Sequence, residues 1–436
     1  MAKLTGLLKE IVNIKEQISE RKLLLNFSAL SSVQFVNGVI PLVVLPYLYR
    51  VLGVEKLGYV FLAQAVAGFF IQFVDFAFSN TAVRAISQNR ASSLLPFLTG
   101  RLFTLRICLL LIGFPLYSAL GIAIPDVRTS IQSYLISYML VAAQAVNPYW
   151  FLQGIDKTKY YALINLVGKV LFVISIFVLI RSESDYYLVN GIQGVTVFFT
   201  GLTGWYFIQQ KKFIRFTSVS VKTVITEFNA GLSNFLSGLI VFGNSGCYLL
   251  LTGYFAGATQ AGYYGIAEKI FLLGRALPIM IHQAIYPHVC RIAENSFHEV
   301  RKFFKQFYLF LLPVFIPITG ILFFFSSEII SLITGSLVYQ AAKLVKIVSP
   351  IPFLAAVSIP LAQTLSAKHF NRSYLNASLI GSSISVLIAM VLISQFMATG
   401  AAVAALLGEL IMIASMFFQI ERNHRDYSLF TKPVIS

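Results

Sequence analysis

Between Gly262 and Arg291 the chain reads GYYGIAEKIFLLGRALPIMIHQAIYPHVCR, an apolar run that nonetheless carries Glu268, Lys269, Arg275 and His282. Glu268, Arg275 and His282 stand seven residues apart, so on a helix they share one slowly drifting face. At about 1.5 Å per residue that face extends roughly 21 Å, some two-thirds of a bilayer's hydrocarbon core. A charged side chain at the bilayer centre costs at least about 2.5–3.5 kcal/mol. The stripe must therefore look into a wet cavity or at partners, and we read it as one wall of a pathway for a polar or anionic solute.

Each group has a chemical role to weigh. Arg275 is mid-span and keeps its charge at ordinary pH, which makes it an anion-binding candidate. Lys169 lies about eight residues inside another apolar run, too deep for easy snorkelling; it binds an anion or fixes packing through an ion pair. Lys269 stands beside Glu268 and contacts solute, pairs locally or snorkels. Glu409, mid-membrane in span twelve, and Glu268, beside Lys269 a turn from the outer surface, suit reversible protonation, or serve as structural partners for Lys169 or Arg275. His282 is equally a proton relay or a satisfied core histidine. Asp75, near Arg84, reads as half of a salt bridge in a gate.

The elements that hold these groups follow from composition. Of 436 residues, 57% are hydrophobic and 11% charged, with a mean hydropathy of +0.79. A soluble domain carries about 25% charged residues, so the chain is an all-α integral membrane protein. A β-barrel would alternate in short segments instead. Twelve spans are expected at approximately 26–49, 57–79, 103–124, 131–153, 161–180, 186–209, 228–252, 261–288, 305–326, 343–366, 373–396 and 399–420. No hydrophilic stretch is long enough for a soluble domain.

A net charge of +16 would suggest nucleic acid on a soluble chain. Here it sits in short loops and reads as topology, with no nucleic-acid partner expected. With the N-terminus inside, 24 of the 33 Lys and Arg fall in inner segments or at the adjoining span ends, six in outer segments or their adjoining ends, and three, Lys169, Lys269 and Arg275, further inside spans. That bias places both termini in the cytoplasm. Residues 1–22 lack a signal-peptide core and read as an amphipathic surface helix. The expected organisation is a leader at 1–22, a bundle at 23–210, a linker at 211–226, a second bundle at 227–420 and a tail at 421–436. Cys108, Cys247 and Cys290 have no ligand or disulfide spacing.

An internal repeat supports the halving. Gly53-Val-Glu-Lys-Leu-Gly58-Tyr59 and Gly257-Ala-Thr-Gln-Ala-Gly262-Tyr263 are both G-x4-G-Y, followed by Ala63-Gln64 and Ala267-Glu268, at a constant offset of 204. Six spans per half is an even number, so the halves are parallel, with a solute site between them near the midplane. Span one carries Asn26, Gln34, Asn37 and Pro41 on one side, span two carries Gln64, and span seven carries Asn234 and Asn244. Spans one, two, seven and eight are expected to line the cavity. No P-loop, H-E-x-x-H or D-x-D motif occurs, so ATP hydrolysis through a P-loop is not indicated and no cofactor or metal is expected. Energy must come from an ion gradient or the solute's own.

Several stretches together resemble the Wzx-type polysaccharide flippases of the multidrug/oligosaccharidyl-lipid/polysaccharide exporter superfamily. They are Pro46-Tyr-Leu-Tyr-Arg50-Val-Leu-Gly53 with Gly58, Phe73-Val-Asp75-Phe-Ala-Phe78, and Asn147-Pro148-Tyr-Trp150-Phe-Leu-Gln153-Gly154, then Gln283-Ala-Ile-Tyr286-Pro287 and Ser349-Pro-Ile-Pro352-Phe353. Ala77 stands where a Gly is usual. The resemblance implies two six-helix bundles in a V around a basic cavity. It implies alternating access, in the bacterial inner membrane, for an undecaprenyl-pyrophosphate-linked oligosaccharide. Polysaccharide polymerase and chain-length regulator proteins are candidate partners. A drug/cation antiporter of the same architecture and a polysaccharide polymerase or ligase are the alternative readings, the last opposed by the shortness of the outer loops.

Overall fold

The computed structural model describes residues 2–75, 78–89, 92–123, 128–210, 235, 242, 246–295, 297–368, 370–424 and 427; side chains are described from residue 32 onward, except at 78–81, 122–123, 284, 287, 294–295, 297 and 371. Every regular element among them is helical, as lipid demands of a backbone that must satisfy its own hydrogen bonds. In chain order they are α1 (Ala2–Asp75), α2 (Phe78–Gln88), α3 (Leu95–Ala123), α4 (Ile131–Val146), α5 (Tyr149–Gly154), α6 (Thr158–Leu179) and α7 (Leu188–Gln210). The second half holds α8 (Cys247–Asn295), α9 (Phe297–Phe324), α10 (Ser326–Thr334), α11 (Tyr339–Val348), α12 (Ile351–Ala367) and α13 (Asn371–Asn423). The linker at 211–226 and most of span seven lie outside the described residues, as do the side chains of the leader.

Three of these helices are two spans joined by one residue. α1 breaks at Gly53 (φ 72°, ψ 173°) and α8 at Gly257 (φ 83°, ψ 173°). These positions are 204 residues apart and share one backbone conformation, which L side chains rarely adopt. The first Gly of each G-x4-G-Y is thus the corner between two spans. The second Gly serves close approach. A Cβ on Gly58 would lie 1.9 Å from the Ala258 carbonyl oxygen, and one on Gly262 would lie 2.2 Å from that of Val54. Val54 and Ala258 are themselves repeat equivalents, so the contact is reciprocal, as across a two-fold axis. α13 turns at Met397 (φ 53°, ψ −133°), one residue from where hydropathy divides spans eleven and twelve.

Two spans break at proline. α4 stops at Val146 and α5 restarts at Tyr149, because Pro148 has no N–H to continue the ladder. The freed groups are met locally. Arg106 Nη1 donates to the Asn147 carbonyl (3.0 Å), Trp205 Nε1 to that of Val146 (2.5 Å), and the Tyr149 N–H to Asn147 Oδ1 (3.0 Å). Ser349-Pro350 interrupts the corresponding span of the second half, with Ser349 Oγ donating to the Lys346 carbonyl at 2.9 Å. α3 begins eight residues before the hydropathy boundary. Arg106 thus stands eleven residues into the helix, where it is 1% exposed.

Candidate functional site

α1, α6, α7 and α8 enclose a cavity of about 90 Å³. Its polar wall is Gln64 from the second span of α1, Lys169 from α6, Gln193 from α7 and Lys269 from α8; the remainder is apolar, including Pro41, Leu45 and Phe172. No Asp or Glu lines it among the described residues. The depth is set by helix register. Gln64 is eleven residues past Gly53, Lys169 ten before Leu179 and Lys269 twelve past Gly257. At about 1.5 Å per residue each lies roughly 15–18 Å from the end marked by the two glycine corners, near half the thickness of a ~30 Å core.

The polar groups are only partly committed. Gln64 Nε2 donates to Gln193 Oε1 at 3.3 Å, which leaves each amide further donors or acceptors. Lys269 Nζ sits 5.3 Å from the centroid of Phe61, a ring of the first half. That cation–π contact steers the ammonium across the boundary between the halves. Neither lysine forms a salt bridge among the described residues. Three α-helices of the first half therefore build the cavity, and α8 adds one positive charge from the second.

The remaining expected residues are elsewhere. Arg275 does not line this cavity; its Nη1 pairs with Glu409 Oε1 on α13 at 2.9 Å, their side chains 25% and 7% exposed. Tyr248 and Tyr374 are close enough for its charge to act on their hydroxyls. Glu409 thus takes the structural-partner role, with Arg275 rather than Lys169. Glu268 is buried and makes no hydrogen bond or salt bridge among the described residues; its charge acts on Tyr264, one turn earlier, and on Lys269. Nε2 of His282 is buried without a partner among the described residues, its ring stacks on Tyr286, and its backbone carbonyl accepts from Gln363 Nε2 at 2.8 Å. The expected single wall of Glu268, Arg275 and His282 is therefore divided. Heptad spacing drifts about 20° per repeat on a straight helix, and α12 and α13 pack over the faces so exposed.

The expected gate pair also differs. Asp75 pairs with Arg106 on α3, while Arg84 on α2 is exposed. The sequence reading counted Arg106 with the inner-segment charges at the start of span three and so missed it as a partner. Gln34 donates through Nε2 to Gln283 Oε1 at 3.1 Å, joining α1 to α8 away from the cavity, and Asn37 is exposed. The side chains of Asn26, Asn234 and Asn244 lie outside the described residues. Gln193 is the cavity residue that sequence reasoning passed over. A signal was present, since Asn190 and Gln193 are amides deep in the apolar run 186–209, but only packing brings Gln193 to Gln64.

Two halves joined through glycine corners, with a cationic pocket between them at mid-depth, define a multi-pass membrane transporter. Solved structures of two such transporters share the fold. The chain aligns with "Lipid II flippase MurJ, inward closed conformation" at a TM-score of 0.73 and 12% identity, covering 93% of this chain and 89% of that one. It aligns with the MATE multidrug transporter DinF-BH in complex with R6G at a TM-score of 0.66 and 16% identity, covering 94% and 97%. The chain belongs to the polysaccharide biosynthesis protein family, whose model matches residues 23–293. A protein of Escherichia coli (strain K12) named "Putative O-antigen transporter" is 23% identical over 404 residues, 91% of this chain and 96% of its own length. That membership agrees with the resemblance to Wzx-type flippases carried by the sequence motifs.

Proposed function

We propose that the protein moves an undecaprenyl-pyrophosphate-linked oligosaccharide, an O-antigen or related repeat unit, from the inner to the outer leaflet of the bacterial cytoplasmic membrane by alternating access. One observation carries the reading: Lys169 and Lys269 share a mid-depth cavity that no carboxylate lines among the described residues. Holding two ammonium groups in a pocket with no carboxylate in its lining is costly, and a pyrophosphate offers negative charge together with oxygens for several donors. Gln64 and Gln193 add hydrogen bonds for phosphate oxygens or sugar hydroxyls. The same charge opposes the drug/cation antiporter reading. The prenyl tail stays in lipid between the halves.

The Lys and Arg distribution supports cytoplasmic termini, which puts Gly53 and Gly257 at the periplasmic end. Coupling to protons is assigned to Glu268, since Glu409 is engaged by Arg275. The repeat supplies a control, because position 64, equivalent to 268, already holds the neutral isostere Gln. Glu268→Gln should leave transport that no longer responds to the proton gradient. Proteins that polymerise the glycan and set its length are proposed as partners in the membrane.

The test uses cells depleted of the protein. Lipid-linked repeat units should accumulate inside and surface glycan should fall. The wild-type chain should restore both, whereas Lys169→Gln/Lys269→Gln should not, although present in the membrane at equal level. Unchanged surface glycan without internal accumulation would overturn the proposal, and resistance of growth to cationic dyes would favour the antiporter instead.

A further inference from the structure

Gln193 reaches the cavity from a helix pinned on two sides. On one side α7 lies backbone-close to α4: a Cβ on Gly191 would fall 2.5 Å from Ile136 Cγ2, and one on Gly194 would fall 2.6 Å from Met139 Cβ. On the other side α7 meets the second span of α1 through Asn190, which is 0% exposed. Asn190 Nδ2 donates to the Val60 carbonyl at 3.0 Å and to Ser137 Oγ of α4 at 2.8 Å. A carbonyl only accepts, so it fixes which end of the amide is nitrogen. Ser137 Oγ in turn donates to the Ser133 carbonyl at 2.6 Å, which leaves it an acceptor for Asn190.

Val60 and Gln64 are one turn apart on α1, and Asn190 and Gln193 are one turn apart on α7, so each pair shares a face. Asn190 to Val60 and Gln193 to Gln64 are therefore successive rungs between the same two helices. Two rungs fix both the rotation and the register of α7 against α1. In the second rung Gln64 Nε2 donates and Gln193 Oε1 accepts, so Gln193 Nε2 keeps both hydrogens for a ligand beside Lys169 and Lys269. Position 190 carries a cost. Asn190 Oδ1 is buried without a partner among the described residues, and an unmet buried acceptor is destabilising. An apolar residue there would avoid that loss and strand nothing. Ser137 Oγ would keep its own acceptor, and the Val60 carbonyl its place in the helix.

We infer that Asn190 is a positioning residue for oxyanion binding: it does not line the cavity, but its two donated bonds aim Gln193 Nε2 into it. This role rests on the proposed lipid-linked substrate for the ligand's chemistry. The costly amide is then explained by what it holds in place on the next turn.

The experiment measures, by calorimetry, the dissociation constant of geranyl pyrophosphate for the purified full chain in lipid nanodiscs, together with the melting temperature. The wild-type chain should bind the probe and Lys169→Gln/Lys269→Gln should not. Gln193→Ala removes an amide–oxyanion contact and should weaken binding about tenfold. Asn190→Leu keeps the branched shape; it should weaken binding by a similar factor with little change in melting temperature. Asn190→Ala, which cannot overpack, should do the same to binding. In the Gln193→Ala background Asn190→Leu should weaken binding by less than about twofold more, because its effect passes through the amide already removed. Ser137→Ala leaves the Val60 bond in place, so it should lower the melting temperature yet keep binding within about twofold. Losses at Asn190 and Gln193 that multiply, binding unaltered by both Asn190 variants, or a loss in Ser137→Ala as large as in Asn190→Leu would each overturn the inference. If those results appear while binding still depends on the two lysines, the flippase proposal stands. Binding that survives Lys169→Gln/Lys269→Gln, or is absent from the wild-type chain, would overturn the cavity as the oxyanion site and the role of Asn190 with it.

Discussion

Replacing Arg275 by Met should strand Glu409 on α13, and the cost can be worked from the pair's geometry. At 2.9 Å and an effective dielectric constant of about 20, the gross attraction is about 6 kcal/mol. Most of it offsets the desolvation of the two ions, so the measurable quantity is the loss on breaking the pair, about 3–5 kcal/mol when both partners are buried. Arg275 is 25% exposed and Glu409 7%, which places the loss near 3 kcal/mol. Arg275→Met should therefore be destabilised by about 3 kcal/mol. Glu409→Gln leaves a cation that reaches water, so it should lose only about 1–2 kcal/mol. The double variant should recover about 2 kcal/mol of the summed losses. The assay is SDS-titrated unfolding of detergent-solubilised protein followed by far-ultraviolet circular dichroism, since both tryptophans, Trp150 and Trp205, lie in the first half. A loss below about 0.5 kcal/mol would refute the buried pair. If the pair is structural, the double variant keeps transport; if Arg275 meets the solute, the double variant is stable and inactive.

Two further outcomes concern the backbone. Gly58→Ala and Gly262→Ala should each be strongly destabilising and nearly equal in effect, because each methyl would fall within 2.2 Å of the other half's carbonyl oxygen; thermal melting in detergent checks both, and a tolerant Gly58→Ala would argue against the reciprocal contact. Met397 occupies φ 53°, ψ −133°, close to the first central position of a type II′ turn, where Gly is favoured. Met397→Gly should raise stability by about 1 kcal/mol, read as a higher melting temperature with unchanged transport.

Hydropathy alone defined eleven of the helical spans to within a few residues at most ends, since a lipid-facing helix must be apolar along its whole length and short interruptions stand out. The described residues cover these; span seven falls mostly outside them. The misjudged start of α3 had a physical cause. Arg101 and Arg106 flank the expected start at 103 and look like inner-surface charges, yet Arg106 is buried against Asp75 and the Asn147 carbonyl. An ion pair hides charge from lipid in a way no one-dimensional profile can register.

The repeat was legible as well, down to which glycines matter, because a corner with φ near +80° and a backbone-to-backbone crossing each demand the smallest residue. Sequence also picked out the costly charges, Lys169, Lys269, Arg275, Glu268 and Glu409, from insertion energetics alone. What it could not assign was pairing. Heptad spacing put Arg275 and Glu268 on one face, but whether a mid-span charge meets solute or a carboxylate depends on what a helix more than a hundred residues away presents. α13 brings Glu409 to Arg275, while α6 and α7 bring Lys169 and Gln193 to Lys269 with no acid among them. Local chemistry named the groups that had to be neutralised; the long-range packing of helices decided which were satisfied within the protein and which remain turned to a cavity.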